Sequence, residues 1–115
     1  MTPEEFSFIV DRQLQVCQDV LVDKARQYAP DDDRLHNFRV AAVLRGSNIV
    51  EVIAGMMVKH TISIYDMINS GQLFPLELWE EKITDHINYL LLLRAALHDE
   101  NPGQTILTWD ETSST

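Results

Sequence analysis

Apolar residues recur along this chain at intervals of three and four almost from its first residue. Phe6, Ile9, Val10, Leu14, Cys17, Val20, Leu21, Ala25 and Tyr28 form one such stripe, which predicts a helix. Thr2 supplies an N-cap, Pro3 suits the first helical position, Glu5 completes a capping box, and Pro30 ends the run. Asp33 caps a short second helix through Leu44, stopped by Gly46. A third helix starts at Ser47 or Asn48, with Glu51 at capping-box distance from Asn48, and reaches about Asn69. Ser70-Gly71-Gln72 makes a turn, and Pro75 opens a fourth helix that continues to about His98. The expected fold is all-α: a four-helix, bundle-like domain over residues 1–98 with three long helices and one short. An acidic polar tail follows over 99–115, loosely ordered or docked on a neighbour through Ile106, Leu107 and Trp109.

The third helix is apolar on nearly every side, and so is the Ile87–Leu97 part of the fourth. A helix apolar all round must be buried. Two such helices need more cover than the other two can give, so the pattern predicts a homo-oligomer packing through helices three and four.

Charge narrows the choice of partner. The net charge of −9 opposes a nucleic-acid duplex or an anionic membrane as the main partner. Six of the nine Lys and Arg residues nevertheless fall between Lys24 and Lys59, a cationic zone better matched to a small phosphorylated ligand than to a polymer. Cys17 is the single cysteine, on an apolar helix face, which suits a buried inert thiol and leaves no disulfide or zinc spacing. The start, Met1-Thr2-Pro3-Glu4-Glu5, is unlike a signal peptide, and the longest apolar runs fall short of a membrane span. The expectation is a soluble, cytoplasmic protein.

Candidate chemistry concentrates in the junction from Lys24 to Phe38. It combines Lys24, Arg26 and Arg34 with Asp31-Asp32-Asp33, His36, Asn37 and the rings of Tyr28 and Phe38. Lys59, Ser63 and Asp66 follow one stripe of the third helix beside His60, while Glu81, Asp85 and Asn88 follow one of the fourth. With both stripes facing the bundle interior, these groups converge on the junction. Buried charges must be paired or used. Lys59–Asp85 and Lys24–Asp66 pairs stitching the helices together are the structural alternative to a ligand site. Glu81, Asp85 and Asp66 are also candidate ligands for Mg²⁺, which a few carboxylates and substrate phosphates can hold. Gly-rich phosphate loops, nucleophile elbows and paired cysteines are missing.

The order Lys24…Tyr28…Asp33-Arg34-x-x-Asn37-Phe38, then Lys59-His60-x-x-Ser63-x-x-Asp66, then Glu81-Lys82-x-x-Asp85-x-x-Asn88-Tyr89 resembles a family. It is similar to the small helical phage and bacterial proteins grouped as the first nucleotide-modification-associated domain. The resemblance spans about residues 6–97 and implies a nucleotide ligand and a phage or prophage setting, hence a bacterial cytoplasm, without naming a reaction. A more distant likeness is to the all-helical MazG-type nucleoside triphosphate pyrophosphohydrolases, which set Glu-x-x-Glu and Glu-x-x-Asp pairs around Mg²⁺. Glu81-x-x-x-Asp85 departs from that spacing, and Lys59 and His60 stand where a second acidic pair belongs.

Three functions follow as expectations. The first is a nucleotide-binding protein. Lys24, Arg34 and Lys59 meet phosphates, Tyr28 and Phe38 stack on a base, and His36, Asn37, His60 and Asn88 give directional contacts. The second is a Mg²⁺-dependent nucleoside triphosphate pyrophosphohydrolase. The third is a non-catalytic helical adaptor.

Overall fold

The computed structural model describes residues 1–24 and 33–104, with Lys24 described by its backbone alone. Among these residues the fold is all-α: α1 is Pro3–Gln18, α2 His36–Arg45, α3 Ile49–Asn69 and α4 Leu76–Glu100. No single helix is long and apolar enough to cross a membrane.

The caps expected from the sequence form. Thr2 Oγ1 accepts from the Glu5 backbone N–H at 3.1 Å. Asn48 Oδ1 accepts from the Glu51 N–H, and the Asn48 amide donates back to the Glu51 carboxylate, both at 2.9 Å. Gly46 ends α2 at φ +64°, a left-handed conformation open to glycine at little steric cost. The chain then turns 97° into α3.

Three boundaries differ from the expected ones. The α-helical part of α1 stops at Gln18 and continues as a π-helical turn, Asp19–Lys24. The wider turn leaves both Val20 and Leu21 half-buried, while Val22 and Asp23 stay exposed. α2 begins at His36 rather than directly after Asp33. Asp33 Oδ1 accepts from the Leu35 N–H at 3.0 Å and caps the turn that leads into it. α4 runs two residues beyond His98, so Asp99 and Glu100 belong to the helix and not to a tail.

α3 and α4 form an antiparallel hairpin, as Thr61 meeting His86 and Met56 meeting Tyr89 require. α2 packs on α3 and α1 packs on α4. The core sits where α2 covers the hairpin and unites Leu35, Ala42, Ile49, Val52, Ile53, Leu92 and Ala96, with Leu21 and Phe38 packed against it. Val52 and Ile53 are wholly buried. Arg39 ties this end together, reaching Asp33 at 2.6 Å and Asp99 at 2.9 Å. α1 is held by polar contacts: Arg12 grips Glu80 through two hydrogen bonds, and Gln13 donates to Thr84 at 2.7 Å.

Candidate functional site

The inner face of α3 is set by Ile49, Val52, Ile53 and Met67, with Met56 and His60 half-buried along it. Lys59 and Asp66 are exposed. The inward stripe expected through Lys59, Ser63 and Asp66 is therefore displaced by about one residue, which on an α-helix is about 100°. His60 takes the inner position instead, and its ring lies 4.6 Å from that of Tyr89.

α4 buries Thr84, Asn88, Leu92 and Ala96, an i, i+4 series. Asn88 thus lies on the inner side, as its stripe predicts, with Asp85 half-buried and Glu81 exposed. Among the described residues no three His, Cys, Asp or Glu side chains gather into a group able to hold a metal ion. Asp66, Glu81 and Asp85 therefore do not form the expected Mg²⁺ set, because two of the three point to solvent. The pairs Lys59–Asp85 and Lys24–Asp66 fare differently. No ion pair joins Lys59 to Asp85, and the side chain of Lys24 lies outside the described residues.

The junction divides in the same way. Tyr28, Asp31 and Asp32 also lie outside the described residues. Arg34, His36 and Asn37 are exposed at the start of α2, and Phe38 turns inward onto the core, away from any base. Arg34 donates to the Leu21 carbonyl at 3.4 Å, which sets the start of α2 against the π-helical turn. Among the described residues no side chain caps α2, and no acidic residue lies in its first turn, so its N-terminal N–H groups and positive dipole end favour an anion.

The feature the sequence does not announce is the state of Asn88. The residue is 5% exposed, and both its Oδ1 and its Nδ2 lack a hydrogen-bond partner among the described residues. A buried carboxamide left in this state costs on the order of 1–3 kcal/mol. One turn before it, Thr84 accepts from Gln13 of α1, whose amide also reaches Cys17. One turn after it, Leu92 enters the core. Asn88 thus sits on the side of α4 that faces the C-terminal end of α1, and α1 continues from there into the π-helical turn that Arg34 touches.

Ion pairing shifts four groups. The Arg39 guanidinium, then the Leu35 N–H, holds the Asp33 carboxyl below its usual range. Arg12 does the same to Glu80 by hydrogen bonding. Both arginines are correspondingly raised by the carboxylates they bind. These are structural ties rather than catalytic groups. A groove of about 490 Å³ at the start of α1, lined by Met1, Glu4, Glu5, Phe8 and Ile9, contains none of the candidate residues.

Compared with known proteins, the chain matches no family model, no curated protein and no solved structure.

Proposed function

We propose that this protein binds a small phosphorylated ligand of the nucleotide class where α4, the π-helical end of α1 and the start of α2 meet. The observation that carries this reading is the buried carboxamide of Asn88, which has no hydrogen-bond partner among the described residues. A buried donor and acceptor on one side chain match the edge of a base or a similar amide-bearing ring, which offers the complementary pair. The uncapped start of α2, with Arg34 and His36 exposed beside it, suits the phosphate. The resemblance in residue order to nucleotide-associated helical proteins points to the same ligand class and to a phage or prophage setting. Lys59 and Phe38 have no part in this site, the first for its outward direction and the second for its packing. Hydrolysis through Mg²⁺ finds no support in the described carboxylates, so the reading is of binding.

The test is a thermal-shift screen against nucleotides and deoxynucleotides, with and without Mg²⁺, on the wild type and Asn88→Leu. A ligand at about 100 times its Kd adds about 2.7 kcal/mol to the folded state. The expected result is a Mg²⁺-independent rise in melting temperature for one nucleotide class. Asn88→Leu should stabilise the ligand-free protein by about 1–3 kcal/mol, since it removes the unpaired groups, and should abolish the shift. A shift that survives Asn88→Leu would place the ligand elsewhere. No shift with any nucleotide would remove the proposal.

A further inference from the structure

The α3–α4 hairpin has two broad faces, and the described elements α1 and α2 cover one. On the other, the Thr61 hydroxyl and the His86 imidazole meet at 2.9 Å. Val58 and Tyr65 lie three residues before and four after Thr61, and Ile83 and Leu90 stand in the same relation to His86. These spacings place all four residues around that bridge. With Ile62 they place five exposed apolar side chains on this side of the hairpin. Val58 is 53% exposed, Ile62 52% and Tyr65 60%. Exposed apolar side chains gathered on one face favour an interaction site.

The spacing along α3 says more. Val58, Ile62 and Tyr65 follow intervals of four and three, the seam of a paired helix. Beside the seam, Lys59 and Asp66 each follow an apolar seam residue directly, and they are seven residues apart, so they share one flank. Both are exposed, and neither forms an ion pair with another described residue. In an antiparallel pair related by a two-fold axis, residues of one flank face the same flank of the other helix. A two-fold axis level with the Ile62–Ser63 peptide brings Lys59 opposite Asp66 of the second copy, and the reverse. The flank is therefore complementary in charge to itself, as an isologous contact requires.

We infer that the partner of this face is a second copy of the chain, docked hairpin to hairpin with α3 antiparallel to α3. Two helices side by side, each about 10 Å wide and about 30 Å long, give a footprint on the scale of the 800 Å² or so that each partner buries in a stable interface. The face lies across the hairpin from the side that carries α1 and Asn88, so the inference stands apart from the ligand reading.

The test is sedimentation equilibrium of the full chain and its variants across micromolar concentrations, with helicity followed by circular dichroism. The wild type should be a dimer, and Ile62→Glu a helical monomer. Lys59→Glu and Asp66→Lys alone should each weaken association by about tenfold, since each sets like charges face to face. The double variant Lys59→Glu/Asp66→Lys should recover close to wild-type affinity. Recovery fixes the antiparallel register and does not depend on Ile62→Glu remaining folded. A monomeric wild type, or a double variant as weak as its two changes summed, would overturn the inference.

Discussion

α3 carries two apolar regions built from the same kinds of residue with opposite fates. Toward its start, Val52 and Ile53 are wholly buried between α2 and the end of α4. Further along and on the other side, Val58 and Ile62 remain more than half exposed. Hydrophobicity does not separate the two regions. The difference is cover: Gly46 turns the chain through 97° and lays α2 over the first region, and no described element crosses the second. An apolar helix face thus reports a need for a partner and leaves open whether the same chain supplies it.

Substitution along α3 separates the two regions most directly. Ile53→Ala removes a fully packed side chain and should cost about 2–5 kcal/mol in denaturant unfolding at any protein concentration. Ile62→Ala should cost within about 0.5 kcal/mol in dilute solution, as for an ordinary surface position. At high concentration it should lower the melting temperature relative to wild type, because association stabilises only the wild-type fold. Equal losses at the two positions under dilution would show that the second region is covered within one chain.

The next effect belongs to the cap that starts α3. Asn48→Ala frees the Glu51 N–H and the Glu51 carboxylate together and should cost about 1 kcal/mol by thermal unfolding. The loss should appear in both dilute and concentrated protein, since the cap serves the fold and not the second region.

The smallest effect concerns the ion pairs around the buried region. Asp33 and Glu80 titrate below their usual range in the folded state because Arg39 and Arg12 hold them ionised. Their contribution is therefore complete above the ordinary carboxylate pKa of about 4 and fades as pH falls through the lower folded values. Arg39 and Arg12 stay charged throughout. Stability measured from pH 6 to pH 2 should decline mainly below about pH 4, and Asp33→Asn should reduce that decline. An unchanged pH profile in Asp33→Asn would show that the Arg39 bridge adds nothing measurable, a common result for exposed pairs.

Helices and their ends were legible because they depend on neighbours close in sequence. Thr2 with Glu5 and Asn48 with Glu51 form hydrogen bonds across three residues, and Gly46 needs only its own backbone freedom. The candidate site was legible in part. Asn88 and His60 do face inward, whereas Lys59 and Asp66 do not. Periodicity fixes angles between residues on a helix but not its absolute rotation, and α3, apolar nearly all round, offers no polar side to set that rotation. The π-helical turn after Gln18 escaped for a similar reason, since Val20 and Leu21 fit the α-helical stripe equally well.

The amino-acid order by itself determined the all-α class, the helices and their main caps, because those rest on propensity and on hydrogen bonds within a few residues. Tertiary structure alone decided which apolar face the chain covers, which charges stay in solvent, and that the amide of Asn88 is buried among the described residues without a partner. Those outcomes depend on how α1 and α2 pack across the α3–α4 hairpin, and contacts between residues distant in sequence leave no local pattern to read.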